Sequence, residues 1–167
     1  METDLAVRAR ANELTLLAFL AMTVMLFAAF TAAYLIRRTG TDWQHVSLPG
    51  ILWLNTAVLA ASSVTVELAR RSAKPSWLAA TTVLGIAFLA GQLLAWRTLA
   101  QEGIFLPTNP HSSFFYMLTA VHGMHLLGGI GALMYATAYR NALGLGATYW
   151  HFVDGVWLYV FLMLSVF

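Results

Sequence analysis

Cysteine is absent from the chain, which excludes disulfide frameworks, thiolate metal sites and iron–sulfur clusters. Charge is scarce. Asp, Glu, Lys and Arg together make up 10% of the 167 residues, against about 25% in an ordinary globular protein. So little charge cannot coat a water-facing surface, and this rules out a secreted enzyme, an extended basic nucleic-acid binder and a disordered linker. Proline occurs four times, each time in a joint: Pro49, Pro75, Pro107 and Pro110. An excess of one sign is also missing, because nine Lys and Arg against seven Asp and Glu leave a net of +2. What the chain has in abundance is apolar surface, with 60% of its residues hydrophobic. Its solvent is therefore lipid.

Five apolar runs emerge at about residues 14–36, 51–68, 77–99, 112–139 and 148–167. Arg37-Arg38, Arg70-Arg71, Gln101-Glu102-Gly103 and Arg140-Asn141 close the first four. Each run has about the 20 residues that a helix needs to cross roughly 30 Å of hydrocarbon. None shows the polar–apolar alternation of a barrel strand. The expected fold is all-α, a single membrane domain over residues 1–167 made of five transmembrane helices. The first run is too long for the apolar part of a cleavable leader, and Glu2, Asp4 and Glu13 mix with Arg8 and Arg10 before it.

Lys and Arg fall unevenly on the two sides. Arg8, Arg10, Arg70, Arg71, Lys74 and Arg140 share the N-terminal side, and Arg37, Arg38 and Arg97 the other. Basic loops stay in the cytoplasm, so the expected N-terminus is cytoplasmic and the C-terminus lies outside. No inverted repeat or soluble domain is visible.

Polar residues inside spans are the informative ones, since each costs free energy to insert. In the second span Asn55 and Ser62 are seven residues apart, as are Thr56 and Ser63, so polar groups recur every two turns. A helix-packing face is the favoured reading, because small and hydroxyl-bearing residues let helices approach and bond. Glu67 lies near Arg70 and Arg71, which can answer it. The fourth span carries His122 and His125, three apart and so on one side of the helix. Gly128 with Ala132 offers a small-xxx-small surface on the same span. The fifth span carries His151 and Asp154, with Trp150 and Trp157 on an adjoining face. An unpaired charged Asp154 would cost about 3 kcal/mol, so it needs partners. A short loop after Arg140 makes the fourth and fifth helices antiparallel neighbours. The expectation is a structural polar cluster of His122, His125, His151 and Asp154 between those helices. A proton relay and a metal site remain the alternatives. His45 and His111 fall in loops on the outer side. Trp43, Trp53, Trp77 and Trp96 sit near span ends as interfacial anchors, and the methionines read as gap fillers.

Three runs carry a family likeness: Leu54-Asn55-Thr56 through Ser62-Ser63-Val64-Thr65, Phe114-Phe115 through His122-Gly123, His125 and Gly128, and Tyr149-Trp150-His151-Phe152-Val153-Asp154 through Trp157. Together they resemble subunit III of haem–copper terminal oxidases (cytochrome c oxidase), in its short five-helix bacterial form. The resemblance implies a non-catalytic, multi-pass subunit of the bacterial plasma membrane. It would have no cofactor of its own and no catalytic or metal-binding residues. It would pack on the catalytic subunit I, which carries haem and copper, and on other oxidase subunits. It would also bind phospholipid and support the stability and proton uptake of the oxidase in aerobic electron transport. The family often has an acidic residue near the position of Ala21-Met22, and none is present here. The alternatives are an accessory subunit of a quinol oxidase or nitric oxide reductase, or an independent proton or metal transporter.

Overall fold

A computed structural model describes residues 2–72, 74–138 and 142–166, with side chains for Val7 and from Arg10 onward. Five α-helices follow one another: α1 Glu2–Arg37, α2 Ile51–Ser72, α3 Pro75–Gln101, α4 Pro110–Ala138 and α5 Leu143–Val166. No strand forms among the described residues. All five helices are long and apolar enough to cross a membrane. Met1, Ala73, the joint Tyr139-Arg140-Asn141 and Phe167 lie outside the described residues, so the expected ends at 139 and 167 do too.

The prolines and glycines set the helix boundaries. Pro75 opens α3 and Pro110 opens α4, positions where the missing N–H costs nothing. Asn109 caps α4 reciprocally: Ser112 N–H donates to Asn109 Oδ1 at 2.9 Å and Asn109 N–H to Ser112 Oγ at 3.2 Å. Beyond the end of α3, Gly103 takes φ 77°, and Ile104 N–H reaches back to the Leu99 carbonyl at 2.9 Å. That left-handed residue closes the helix in the manner of a Schellman motif. The early start of α4 corrects one expectation. His111 is not in a loop but in the first turn of α4, fully buried, and its Nδ1 accepts the Val46 N–H at 3.2 Å.

Helices α2, α3, α4 and α5 form a closed ring, each packed on its two neighbours, and α1 leans on α4 and α5 from outside. Among the described residues the α1 backbone comes close to neither α2 nor α3, with no Cα pair within 8 Å. Where the ring is tightest, glycines make room. At Gly85 of α3 an added Cβ would lie 2.7 Å from the Trp150 indole of α5. At Gly91 it would run into the Asn55 side chain of α2, whose amide donates to the Phe88 carbonyl at 3.1 Å. α1 is held at one end. Tyr34 packs edge-on against Trp43 and Phe114, Thr31 and Tyr159 hydroxyls bond at 2.6 Å, and Arg37 grips Asp42 in the following loop. That guanidinium holds the Asp42 carboxyl below its ordinary range.

A Gly85→Ala substitution should lower stability by about 1–3 kcal/mol, the usual cost of overpacking, because the Trp150 ring has to move. Gly131→Ala, where a Cβ meets nothing within 4 Å, should leave stability unchanged. Thermal unfolding of the two purified variants in detergent, followed by circular dichroism, checks the difference.

Candidate functional site

The polar side chains of α2 and α5 meet along one antiparallel seam. Trp150 Nε1–H donates to Ser62 Oγ at 2.9 Å and Trp157 Nε1–H to Thr56 Oγ1 at 3.0 Å. Both indoles are essentially fully buried. Each hydroxyl gives its own hydrogen to a carbonyl of α2, Ser62 to Leu59 at 2.6 Å and Thr56 to Leu52 at 2.8 Å. A hydroxyl has one hydrogen and two lone pairs, so what remains is an acceptor facing α5. The same device joins α3 to α4, where Trp96 Nε1–H donates to Thr119 Oγ1 at 3.1 Å while Thr119 donates to the Phe115 carbonyl.

Ser63 extends the seam toward the end of the bundle that carries Arg70 and Arg71. Its hydroxyl donates to Asp154 Oδ2 and lies 3.1 Å from His151 Nδ1. Ser63 therefore bridges Asp154 and His151, two residues of α5, from the α2 side. His151 Nε2 is 3.9 Å from Glu67 Oε2. Glu67 in turn accepts from Arg70 Nε at 2.8 Å and from Arg71 Nε at 2.6 Å. The result is a file of polar groups from the arginines to Asp154, roughly 16 Å along α5 from Leu143 at 1.5 Å per residue.

The four members of the expected His/Asp cluster are therefore not gathered in one place. His151 and Asp154 meet through Ser63 of α2, a partner the sequence reading had placed on a separate packing face. Asp154 makes its hydrogen bond to Ser63 of α2 and none to His122 or His125 of α4. His125 turns toward α1, with its ring 5.8 Å from Phe27 and 6.1 Å from Phe19, and its Nδ1 is 2.8 Å from the Val121 carbonyl of its own helix. His122 turns into the ring instead, boxed by Phe88 at 5.7 Å and Trp157 at 5.1 Å. Three residues on a helix stand about 60° apart in projection, enough to send two imidazoles to different neighbours.

The packing residues divide as well. Asn55 and Ser62 are buried, while Thr56 and Ser63 sit half-buried at the α2–α5 join. Gly128 is exposed and borders a groove of about 470 Å³ between α1 and the α4–α5 pair, with Leu16, Phe19, Ala132 and Tyr149 also on its walls. The close contact falls one residue later, at Gly129, where an added Cβ would stand 3.2 Å from both Tyr149 and Trp150. Among the described residues no three His, Cys, Asp or Glu side chains gather as a metal site would require. The indole donors were missed in the sequence, although the seven-residue repeat of Trp150 and Trp157 matches that of the α2 hydroxyls.

Comparison with known proteins places this arrangement. The family model for cytochrome c oxidase subunit III matches residues 5–167. The chain belongs to the cytochrome c oxidase subunit III family. It is 30% identical to the probable cytochrome c oxidase subunit 3 of Nocardia farcinica, covering 86% of this chain and 81% of that protein. The cytochrome c oxidase subunit 3 of Thermostichus vulcanus is 29% identical, with 92% and 86% covered. That of Corynebacterium diphtheriae is 28% identical, with 87% and 83% covered. As a subunit III, the chain is an accessory subunit of a haem–copper oxidase, associated with other oxidase subunits as a multi-pass protein of the bacterial plasma membrane.

Asp154 offers a direct test of the seam. Asp154→Leu strands the Ser63 hydroxyl and should cost about 1–3 kcal/mol, the usual penalty for a buried polar group left without its partner. Asp154→Asn keeps an acceptor for Ser63 and should cost well under half as much. Comparing the unfolding midpoints of the two variants measures it, and equal losses would show that the bond to Ser63 contributes nothing.

Proposed function

We propose that this subunit III packs on the catalytic, haem- and copper-bearing subunit I, holds phospholipid at its surface, and helps that subunit sustain proton uptake and stability through turnover. The observation that carries the reading is how the interior polar groups are used. Ser62, Thr56, Ser63 and Thr119 each take part in a side-chain hydrogen bond that joins two helices, which is the work of a scaffold. The grooves beside α1, the one at Gly128 and a second of about 390 Å³ bordered by Phe27, Phe152 and Tyr159, are apolar and open to the bilayer, which suits acyl chains. The names of the relatives favour an oxygen-reducing oxidase over a quinol oxidase or nitric oxide reductase. The transporter alternative lacks the repeated halves and broken helices on which such proteins are built.

The polar file from Glu67 through His151 to Asp154 serves the same structural end in this reading. A relay would make both Asp154→Asn and Asp154→Leu slow proton uptake with assembly intact, whereas a structural seam loses subunit retention with Leu alone. The N-terminus is cytoplasmic and the C-terminus outside, as the two-to-one division of Lys and Arg implies.

In mild detergent the chain should copurify with a many-helix haem–copper subunit and show no visible haem or copper spectrum once separated. Stoichiometric haem or copper on the isolated chain overturns the proposal. A cysteine appended at the C-terminus, in a chain with no other, should react with an impermeant thiol reagent only from outside the cell. Labelling from the cytoplasmic side alone would invert the topology.

A further inference from the structure

Two buried side chains inside the ring are left over once the bonds between helices have been assigned. Gln92 of α3 and His122 of α4 are 4% and 1% exposed. Neither the Gln92 amide, through Nε2 or Oε1, nor the His122 imidazole, through Nδ1 or Nε2, meets a hydrogen-bond partner in the protein. Unmatched polar atoms of this kind are costly. A buried donor or acceptor forfeits its bond to water, and hydrocarbon offers no substitute.

The register of α3 against α4 puts the two side chains together. Phe88 of α3 meets the His122 ring at 5.7 Å. Further along α3, Trp96 donates to Thr119, which precedes His122 by one turn of α4. Gln92 lies midway between Phe88 and Trp96 on the same face of α3, so it comes level with the turn of α4 from Thr119 to His122. The donors around the pair are already committed. Trp96 gives its N–H to Thr119, and Thr119 its O–H to the Phe115 carbonyl. Trp157, whose ring is 5.1 Å from that of His122, gives its N–H to Thr56. The Asn55 amide of α2 donates to the Phe88 carbonyl, one turn before Gln92. The other side chains at this depth, among them Phe115, Leu118 and Leu126, are apolar and buried.

We propose that Gln92 and His122 hold ordered water between them, in a hydration site sealed inside the four-helix ring that ties α3 to α4. The pattern of donors and acceptors selects the ligand. The Gln92 amide offers two hydrogens and a carbonyl acceptor, and a neutral imidazole offers one hydrogen and one lone pair. A ligand that serves both side chains must donate and accept. A cation meets only the acceptors and an anion only the donors, and either carries its charge into the membrane interior at a cost. Water does both, and a buried water typically makes about three hydrogen bonds to groups that would otherwise go unmet.

The first measurement uses the whole oxidase in lipid. A high-resolution cryo-electron microscopy map should show at least one ordered water within hydrogen-bonding distance of both the Gln92 and the His122 side chain. The second compares the chain purified in detergent with Gln92→Leu, with His122→Phe and with both. Each single replacement removes one holder of the water and strands the other, so each should lower the thermal unfolding midpoint by about 2–4 °C or more. The double replacement leaves no polar group to satisfy and should unfold no lower than the milder single variant. A map in which the two side chains bond each other directly, or in which nothing lies between them, overturns the proposal. So does a midpoint raised by Gln92→Leu, the result expected of an amide that is merely unsatisfied, and so do losses that add in the double variant. The map is of the unaltered protein, so a variant that fails to fold leaves the test standing.

Discussion

The α2–α5 seam is the constraint on which the rest of the bundle depends. Lipid offers no partner for a buried N–H or O–H, so each polar group inside the spans is either matched by another helix or left at a cost. Thr56 and Ser62 solve this by donating backward to their own helix and accepting from an indole across the gap. Interhelical side-chain bonds of this kind are worth only about 0.6 kcal/mol each on average, but two of them seven residues apart admit one register. That register sets the depth of Trp150, which fills the ring as far as Gly85, and of Trp157, which closes over Phe88 and His122.

Once the register is set, the positions of the other polar groups follow. Ser63, one residue beyond Ser62, faces Asp154 and His151 because α5 cannot slide. Glu67, one further turn along α2, comes level with His151 and is held there by Arg70 and Arg71. The ring of four helices thereby carries its longest run of joined polar groups along the α2–α5 line, with single bonds such as Trp96–Thr119 and Asn55–Phe88 at the other joins. That arrangement is what a protein needs when it must be rigid inside a membrane and still offer lipid-like faces to it.

The architecture was largely legible in the sequence, since five apolar runs of membrane-spanning length admit few alternatives. The ends were harder to read. Leu143-Gly144-Leu145-Gly146-Ala147 reads as a loop because glycine is a poor helix former, yet it forms the first turns of α5, where a Cβ added at Gly146 would stand 3.7 Å from the Leu133 side chain. Asn109 capping and Pro110 likewise drew His111 into a helix. In the candidate site, Thr56 and Ser63, seven residues apart on α2, both meet α5. His151 and Asp154, three apart on α5, both meet Ser63, whereas Asn55 bonds α3 and Ser62 bonds α5. A repeat gives a direction on one helix, however, and not the identity of the helix it faces. The short connection between α4 and α5 drew Asp154 toward His125, when the partner lay on α2, 91 residues away in the chain.

The loose attachment of α1 bears on how such a chain is made. Residues leave the ribosome in order, so α1 enters the membrane first, while the helices it leans on, α4 and α5, arrive last. Until they do, α1 has no protein neighbour and must be stable in lipid by itself. Its composition suits that wait: its exposed mid-span surface is Leu, Phe, Met, Val and Ala, and its buried Thr23 satisfies its hydroxyl on the Phe19 carbonyl of the same helix at 3.0 Å. The hydroxyls and indoles that need a partner from elsewhere are concentrated on α2 to α5, helices that find one another as soon as they follow one another into the bilayer.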